Sequence, residues 1–190
     1  MKIAIITGTT RPGRKSLAVA EWVHVQASKR DDAEFEIVDI ADYDLPLYDE
    51  SVPAMMGQYE HEHTKRWNAK IAEFDGYIFV TAEYNHAAAA PLTNAMAYPY
   101  NEWVNKGAAF VGYGGMGGVR AVENLRLIVA ELQLADVRQA IHLSAFDDME
   151  NFETIAPRPM QAKQLETLFD QLIAWSGALK SLRESQLVNA

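Results

Sequence analysis

Between an apolar run, Lys2 to Thr7, and a helix-like run that begins at Leu17 stand Gly8, Thr9, Thr10, Arg11, Pro12, Gly13, Arg14, Lys15 and Ser16. A strand that ends in glycine, hydroxyls and arginines just before a helix brings backbone N–H groups, Ser/Thr oxygens and guanidinium charge to the positive end of the helix dipole. That is the chemistry of a phosphate cradle. An ordinary strand-to-helix loop with Ser16 as N-cap fits the same residues. Two further loops are unusual in composition: Ala82 to Ala90, with Glu83-Tyr84-Asn85-His86, and Tyr113 to Gly118, with Gly114, Gly115, Gly117 and Gly118. With Gly112 the last of these spells G-x-G-x-x-G. It follows the fourth strand, however, and the first βα turn lacks that glycine pattern, which disfavours a classical dinucleotide fold. Glycines there let backbone approach a flat ring closely, or permit a tight turn at positive φ.

Elements that would position these loops alternate along the chain. Strands are expected at Lys2 to Thr7, Glu34 to Asp39, Gly76 to Thr81, Ala108 to Gly112 and Val137 to Leu143, whose near-continuous apolar character suits strands covered on both faces. Helices are expected at Ser16 to Ser28, Glu60 to Phe74, Pro91 to Val104, Gly118 to Leu134 and Met160 to Lys180, with Ala41 to Tyr59 as the long loop. Right-handed crossovers between such units give a doubly wound three-layer sandwich around a five-stranded parallel sheet. With a phosphate loop after the first strand, the expected order is the flavodoxin-like 2-1-3-4-5, in which ligands sit outside the carboxyl ends of strands 1, 3 and 4. The three unusual loops then converge.

Composition narrows the function classes. The 190 residues, 49% hydrophobic and without a linker, repeat or low-complexity tract, read as one domain over 1–190. The first residues read as a strand rather than a signal peptide, and no apolar run approaches the roughly 20 residues of a membrane span, so a cytoplasmic protein that engages no membrane is expected. The absence of cysteine removes disulfides, thiolate nucleophiles and iron–sulfur clusters, so redox chemistry requires a bound cofactor. A net charge of −9 disfavours nucleic acid as a partner. The arginines near residue 11 are then a local positive site for a small anion.

Together the three loops resemble the NADPH-dependent FMN reductase family, the flavodoxin-like quinone, azo-dye and chromate reductases. Gly8 to Arg14 is similar to its G-S-x-R phosphate loop, Glu83-Tyr84-Asn85 to its P-E-Y-N, and Tyr113 to Ala121 to its glycine-rich third loop. The resemblance implies FMN as cofactor and NADPH or NADH as donor. Thr9, Arg11, Ser16 and the Leu17 backbone would hold the phosphate, Glu83, Tyr84, Asn85 and His86 the isoalloxazine edge, and Gly114 and Gly115 would lie near the ring. It also implies a homodimer or homotetramer with the flavin near a subunit interface. The implied reaction is ping-pong: hydride passes from the nicotinamide to the flavin, and a quinone, free flavin or similar small acceptor then collects two electrons. The cofactor performs the hard step, so no obligatory catalytic acid or base is named. A flavin-binding electron carrier or low-activity redox sensor is the alternative, although Arg11, Arg14 and the small Ala87 to Ala90 run suggest an open ring face and favour an enzyme.

The second loop departs from the family pattern. Ala82 stands for a Pro, Ala87 for a Ser, Ala89 for a Pro, Ala90 for a Gly and Thr93 for a Lys, while Leu92, Asn94 and Ala95 match. A lost hydroxyl removes a hydrogen bond worth roughly 0.5–1.5 kcal/mol. Elsewhere, His61 and His63 on one helix would point about 200° apart and share no metal, and no metal site is expected. His24 and His142 read as satisfied histidines, and no G-x-S-x-G elbow supports a hydrolase. Tyr98, Tyr100 and Trp103 fit a subunit contact, a pocket wall or core packing equally well.

Overall fold

A computed structural model describes residues 1–188. Five long strands, β1 (Lys2–Thr7), β2 (Glu34–Asp39), β3 (Gly76–Tyr84), β5 (Lys106–Gly114) and β6 (Leu134–Ser144), form a parallel sheet in the order β2-β1-β3-β5-β6. In terms of these five strands, that is the expected 2-1-3-4-5. A two-residue strand, β4 (Ala87–Ala88), adds an antiparallel pairing to β3, and β7 (Met149–Glu150) pairs with β8 (Thr154–Ile155) in a separate hairpin. Both short pairings escape the sequence reading because neither carries enough residues to show an alternation.

Alternation along β1 decides which layer each side chain joins. Ala4 and Ile6 face the core under α2 (Glu62–Ala72), α3 (Ala90–Ala97) and α4 (Val119–Glu131), with Trp67, Leu92, Met96 and Leu125. Ile3 and Ile5 face the opposite core, with Val19 and Val23 of α1 (Ser16–Ala27) and Leu168 and Phe169 of α5 (Pro159–Val188). Consecutive parallel pairing, Thr7 beside Val80 and Ala82 beside Tyr113, turns the carboxyl ends of β1, β3 and β5 to the same edge of the sheet, with β3 running on past Thr7 to Tyr84.

Three expectations are corrected. The third helix ends at Ala97, not Val104. Pro99 has no N–H with which to continue the ladder, and indole N–H groups take over the terminal carbonyls: Trp67 donates to Ala95 O at 2.8 Å and Trp103 to Met96 O at 3.2 Å. Tyr98 and Trp103 are therefore core residues. The 41–59 loop contains the 3-10 turn Ala54–Met56 and is entered by another, Ile40–Tyr43, and Asn94 of α3 ties it down by donating to Pro46 O and accepting from Tyr48 N. Finally, His61 is the extended N-cap of α2 rather than part of it, so its ring stacks on that of His63 with centroids 5.2 Å apart, and both rings reach Asp49. His61 also lies with Glu50 and Glu60 in a group whose ligand-type atoms are within 4.8 Å of one another, but the Glu50 carboxylate already accepts the backbone N–H groups of Glu60 and His61.

Lys106 is buried at the start of β5, at the end of the sheet away from the three loops. Its Nζ donates to Ala72 O at the end of α2 (3.2 Å) and to Tyr77 Oη (3.0 Å). Burial, followed by repulsion from Arg183, lowers its pKa to about 8. Because the folded-state value lies below the unfolded one, the unfolded chain binds more protons between about pH 8 and 10.5, and stability gains from rising pH across that window. The full effect is of the order of 3 kcal/mol. Urea unfolding at pH 8 and pH 10 is expected to show the wild type gaining stability relative to Lys106→Met; parallel pH profiles would refute the assignment.

Candidate active site

The first loop turns through Arg14 N–H to Arg11 O (3.2 Å) and enters α1 at Ser16. Ser16 is the first helical residue and not its N-cap. Lys15 occupies the cap and makes no side-chain capping hydrogen bond, so the first-turn N–H groups, Leu17 among them, lack a side-chain cap. Thr9 and Ser16 are buried at the base of the loop, where Thr9 Oγ1 donates to Ser16 Oγ at 2.7 Å. Arg11 is exposed, and its Nε donates to Tyr84 Oη at 3.1 Å across to the second loop. Arg14 instead pairs with Asp39 at the end of β2, which also accepts Thr7 Oγ1 at 2.7 Å. Its charge is engaged inside the fold.

The second loop is a hairpin. Asn85 and His86, at φ 52° and 65°, form the two-residue turn between β3 and β4, a conformation that Asn tolerates well. Both are exposed at the tip with Tyr84 beside them. The Glu83 side chain turns toward the third loop, where its carboxylate accepts the backbone N–H of Arg120 (3.1 Å) and pairs with the Arg120 guanidinium. Burial raises the Glu83 pKa, but the Arg120 side-chain and backbone hydrogen bonds outweigh it and leave the carboxyl below its ordinary range. The second and third loops are thus clamped together.

In the third loop Gly114 takes φ 144° and Gly118 φ 69°. Gly117 N–H closes the turn onto Gly114 O at 3.0 Å, and His142 Nδ1 braces it from β6 through Gly117 O at 3.2 Å. A Cβ on Gly114 would lie 3.9 Å from that of Glu83, so the loops adjoin. Tyr113, buried at the end of β5, places its hydroxyl 3.4 Å from Thr9 Oγ1. All three loops meet around Thr9, Tyr84 and Gly114.

Comparison with known proteins decides the family. The sequence profile of NADPH-dependent FMN reductases matches residues 1–148. The chain belongs to the NADPH-dependent FMN reductase family. It is 42% identical over 158 residues to an NAD(P)H-dependent FMN reductase of Nectria sp, covering 78% of each chain. It is 28% identical over 185 residues to a 2-hydroxy-1,4-benzoquinone reductase of Burkholderia sp, covering 92% of this chain and 96% of that one. Its fold resembles that of FerB, a flavoenzyme NAD(P)H:(acceptor) oxidoreductase from Paracoccus denitrificans, with a TM-score of 0.72 at 22% identity over 93% of this chain and 97% of the other.

The family's cofactor, FMN, suits the donor set: a helix N-terminus without a side-chain cap, two buried hydroxyls at its base and an exposed arginine on the same loop are donors that a phosphate monoester dianion takes. Sequence reasoning did not assign roles to Tyr113 and Arg120, although both stand within the quoted third-loop motif. A cavity of about 570 Å³ was also missed; it lies beside the first loop, lined by Thr10, by Ala41 and Leu45 after β2, and by Ala90 and Pro91 at the start of α3. None of the ten residues expected to bind cofactor lines it.

Proposed function

We propose that this chain is an FMN-dependent NAD(P)H oxidoreductase that reduces a quinone, free flavin or similar small acceptor by ping-pong turnover. The carrying observation is the convergence of an uncapped, hydroxyl- and arginine-bearing first loop with two clamped loops at the carboxyl ends of β1, β3 and β5. In this reading Thr9, Arg11, Ser16 and the Leu17 backbone hold the phosphate, and Glu83, Tyr84, Asn85, His86, Gly114 and Gly115 frame the ring. When bound, FMN supplies the two-electron chemistry that links donor to acceptor. The protein contributes orientation and N–H donors, and no side chain is assigned as acid or base.

One FMN-binding domain spanning the chain, working in the cytoplasm as a homodimer or homotetramer, completes the proposal. Among the described residues no helix is long and apolar enough to cross a membrane, and a 2-hydroxy-1,4-benzoquinone reductase among its relatives supports a small-molecule acceptor. Arg11→Ala tests the phosphate assignment. Loss of a charge-assisted hydrogen bond, about 1.5–3 kcal/mol, is expected to weaken FMN binding roughly 10- to 100-fold in a fluorescence titration. Unchanged affinity would remove Arg11 from the site.

A further inference from the structure

Beyond the third loop, two aromatic side chains stand mostly in solvent. Phe146, in the turn after β6, is 71% exposed, and Phe152, at the tip of the β7–β8 hairpin, is 59% exposed. Their rings meet edge to face, with centroids 5.4 Å apart at 87°. The pair continues the proposed ring site: a Cβ on Gly115 would lie 3.8 Å from Phe146 Cε2, and Ala145 N–H donates to Gly114 O at 2.9 Å.

Two features define the backbone that carries the rings. The base of the hairpin is pinned by Asp148, a fully buried carboxylate that accepts Ser144 N–H and Arg158 N–H, each at 3.0 Å. At the tip, Phe152 holds φ 58°, a left-handed conformation that a bulky L residue adopts only at a cost. The family match over residues 1–148 includes Phe146 and stops short of Phe152.

We infer that Phe146 and Phe152 form a docking wall for a planar, apolar aromatic acceptor, a quinone of naphthoquinone size, and set the preference for such acceptors over hydrophilic ones. The inference rests on the proposed reductase function, since that places the acceptor beside Gly114 and Gly115. An edge-to-face pair of rings offers a flat acceptor both a stacking face and an edge. It offers little to a small hydrated anion. The wall therefore discriminates by shape and polarity, without touching the phosphate loop.

The test compares wild type, Phe146→Ala/Phe152→Ala and Phe146→Tyr/Phe152→Tyr, each loaded with FMN. With 2-methyl-1,4-naphthoquinone as acceptor, the alanine pair is expected to raise KM about tenfold, whereas the tyrosine pair stays within about twofold. With ferricyanide, kcat/KM is expected to be unchanged in all three. Equilibrium dialysis of the same quinone against FMN-loaded protein, with no donor present, should show the same tenfold weakening and is readable even if no pyridine nucleotide reduces the flavin. Failure of that reduction would count against the reductase reading alone. Equal quinone affinity in wild type and alanine pair would overturn the wall, as would equal losses with quinone and ferricyanide. A fall in sedimenting mass in the alanine pair would overturn it too, by making the rings a contact between copies of the chain.

Discussion

Gly118→Ala is expected to lose about 2–5 kcal/mol of stability and at least tenfold in FMN affinity. Gly118 enters α4 at φ 69°, and an added Cβ would lie 2.6 Å from Tyr113 N and 2.8 Å from Gly112 Cα. Left-handed geometry costs an L residue about 1–2 kcal/mol, and forcing backbone apart in a packed region adds about 1–3. The obstructing atoms are backbone, so no rotamer change relieves them. Relief requires the third loop to move, which shifts Gly114, Gly115 and the N-terminus of α4 that Glu83 clamps. Gly13→Ala is the matched control: it shares a positive φ of 68°, but its Cβ would meet only Arg11 Nη1, at 3.9 Å. Thermal unfolding should place Gly118→Ala roughly 5–15 °C below wild type, with Gly13→Ala between them. A Gly118→Ala protein that melts with wild type and titrates normally with FMN would show that the loop is free to rearrange.

Asp148→Ala is expected to lose about 3 kcal/mol, because it strips a buried carboxylate from several donors at once. Besides Ser144 and Arg158 N–H, Asp148 accepts the Arg158 guanidinium through Nε and Nη2 (3.0 Å each) and Gln161 Nε2 (3.3 Å). Burial raises its pKa, but the Arg158 side chain and the N–H groups outweigh burial and hold it below the ordinary carboxylate range. A depressed folded-state pKa contributes stability that is present above the unfolded value, near pH 4, and lost as pH falls through the folded one. The gap between wild type and Asp148→Ala in urea unfolding should therefore be wide at pH 7 and narrow toward pH 3. A gap that stays constant with pH would mean that the carboxylate's charge is irrelevant to the hairpin. The same variant should loosen the platform beneath Phe146 and Phe152.

Both sites show what the sequence discloses and what it hides. The first and third loops are legible because each joins a distinctive composition to a strand end, and a doubly wound sheet gathers strand ends. The partner of Glu83 is not legible: its carboxylate turns to Arg120, 37 residues away in sequence. The β3–β4 hairpin is hidden because an alanine run, Ala87 to Ala90, has neither a turn-forming glycine nor a periodicity. Helix at both His61 and His63 predicts opposite faces; the start of α2 at Glu62 instead of Glu60 leaves His61 outside the helix and makes the two rings neighbours. Phe152 at positive φ leaves no trace in sequence, since residue type argues against that conformation.

The reductase function requires one property, a retained flavin that a pyridine nucleotide reduces. The most direct measurement is the visible spectrum of the purified protein after FMN loading and desalting, followed by anaerobic addition of NADPH and NADH in separate cuvettes. A flavin band that survives desalting and bleaches with at least one donor is the expected result. A band that survives and bleaches with neither would contradict the reductase function in favour of a carrier or sensor, and no retained band would contradict the cofactor site itself.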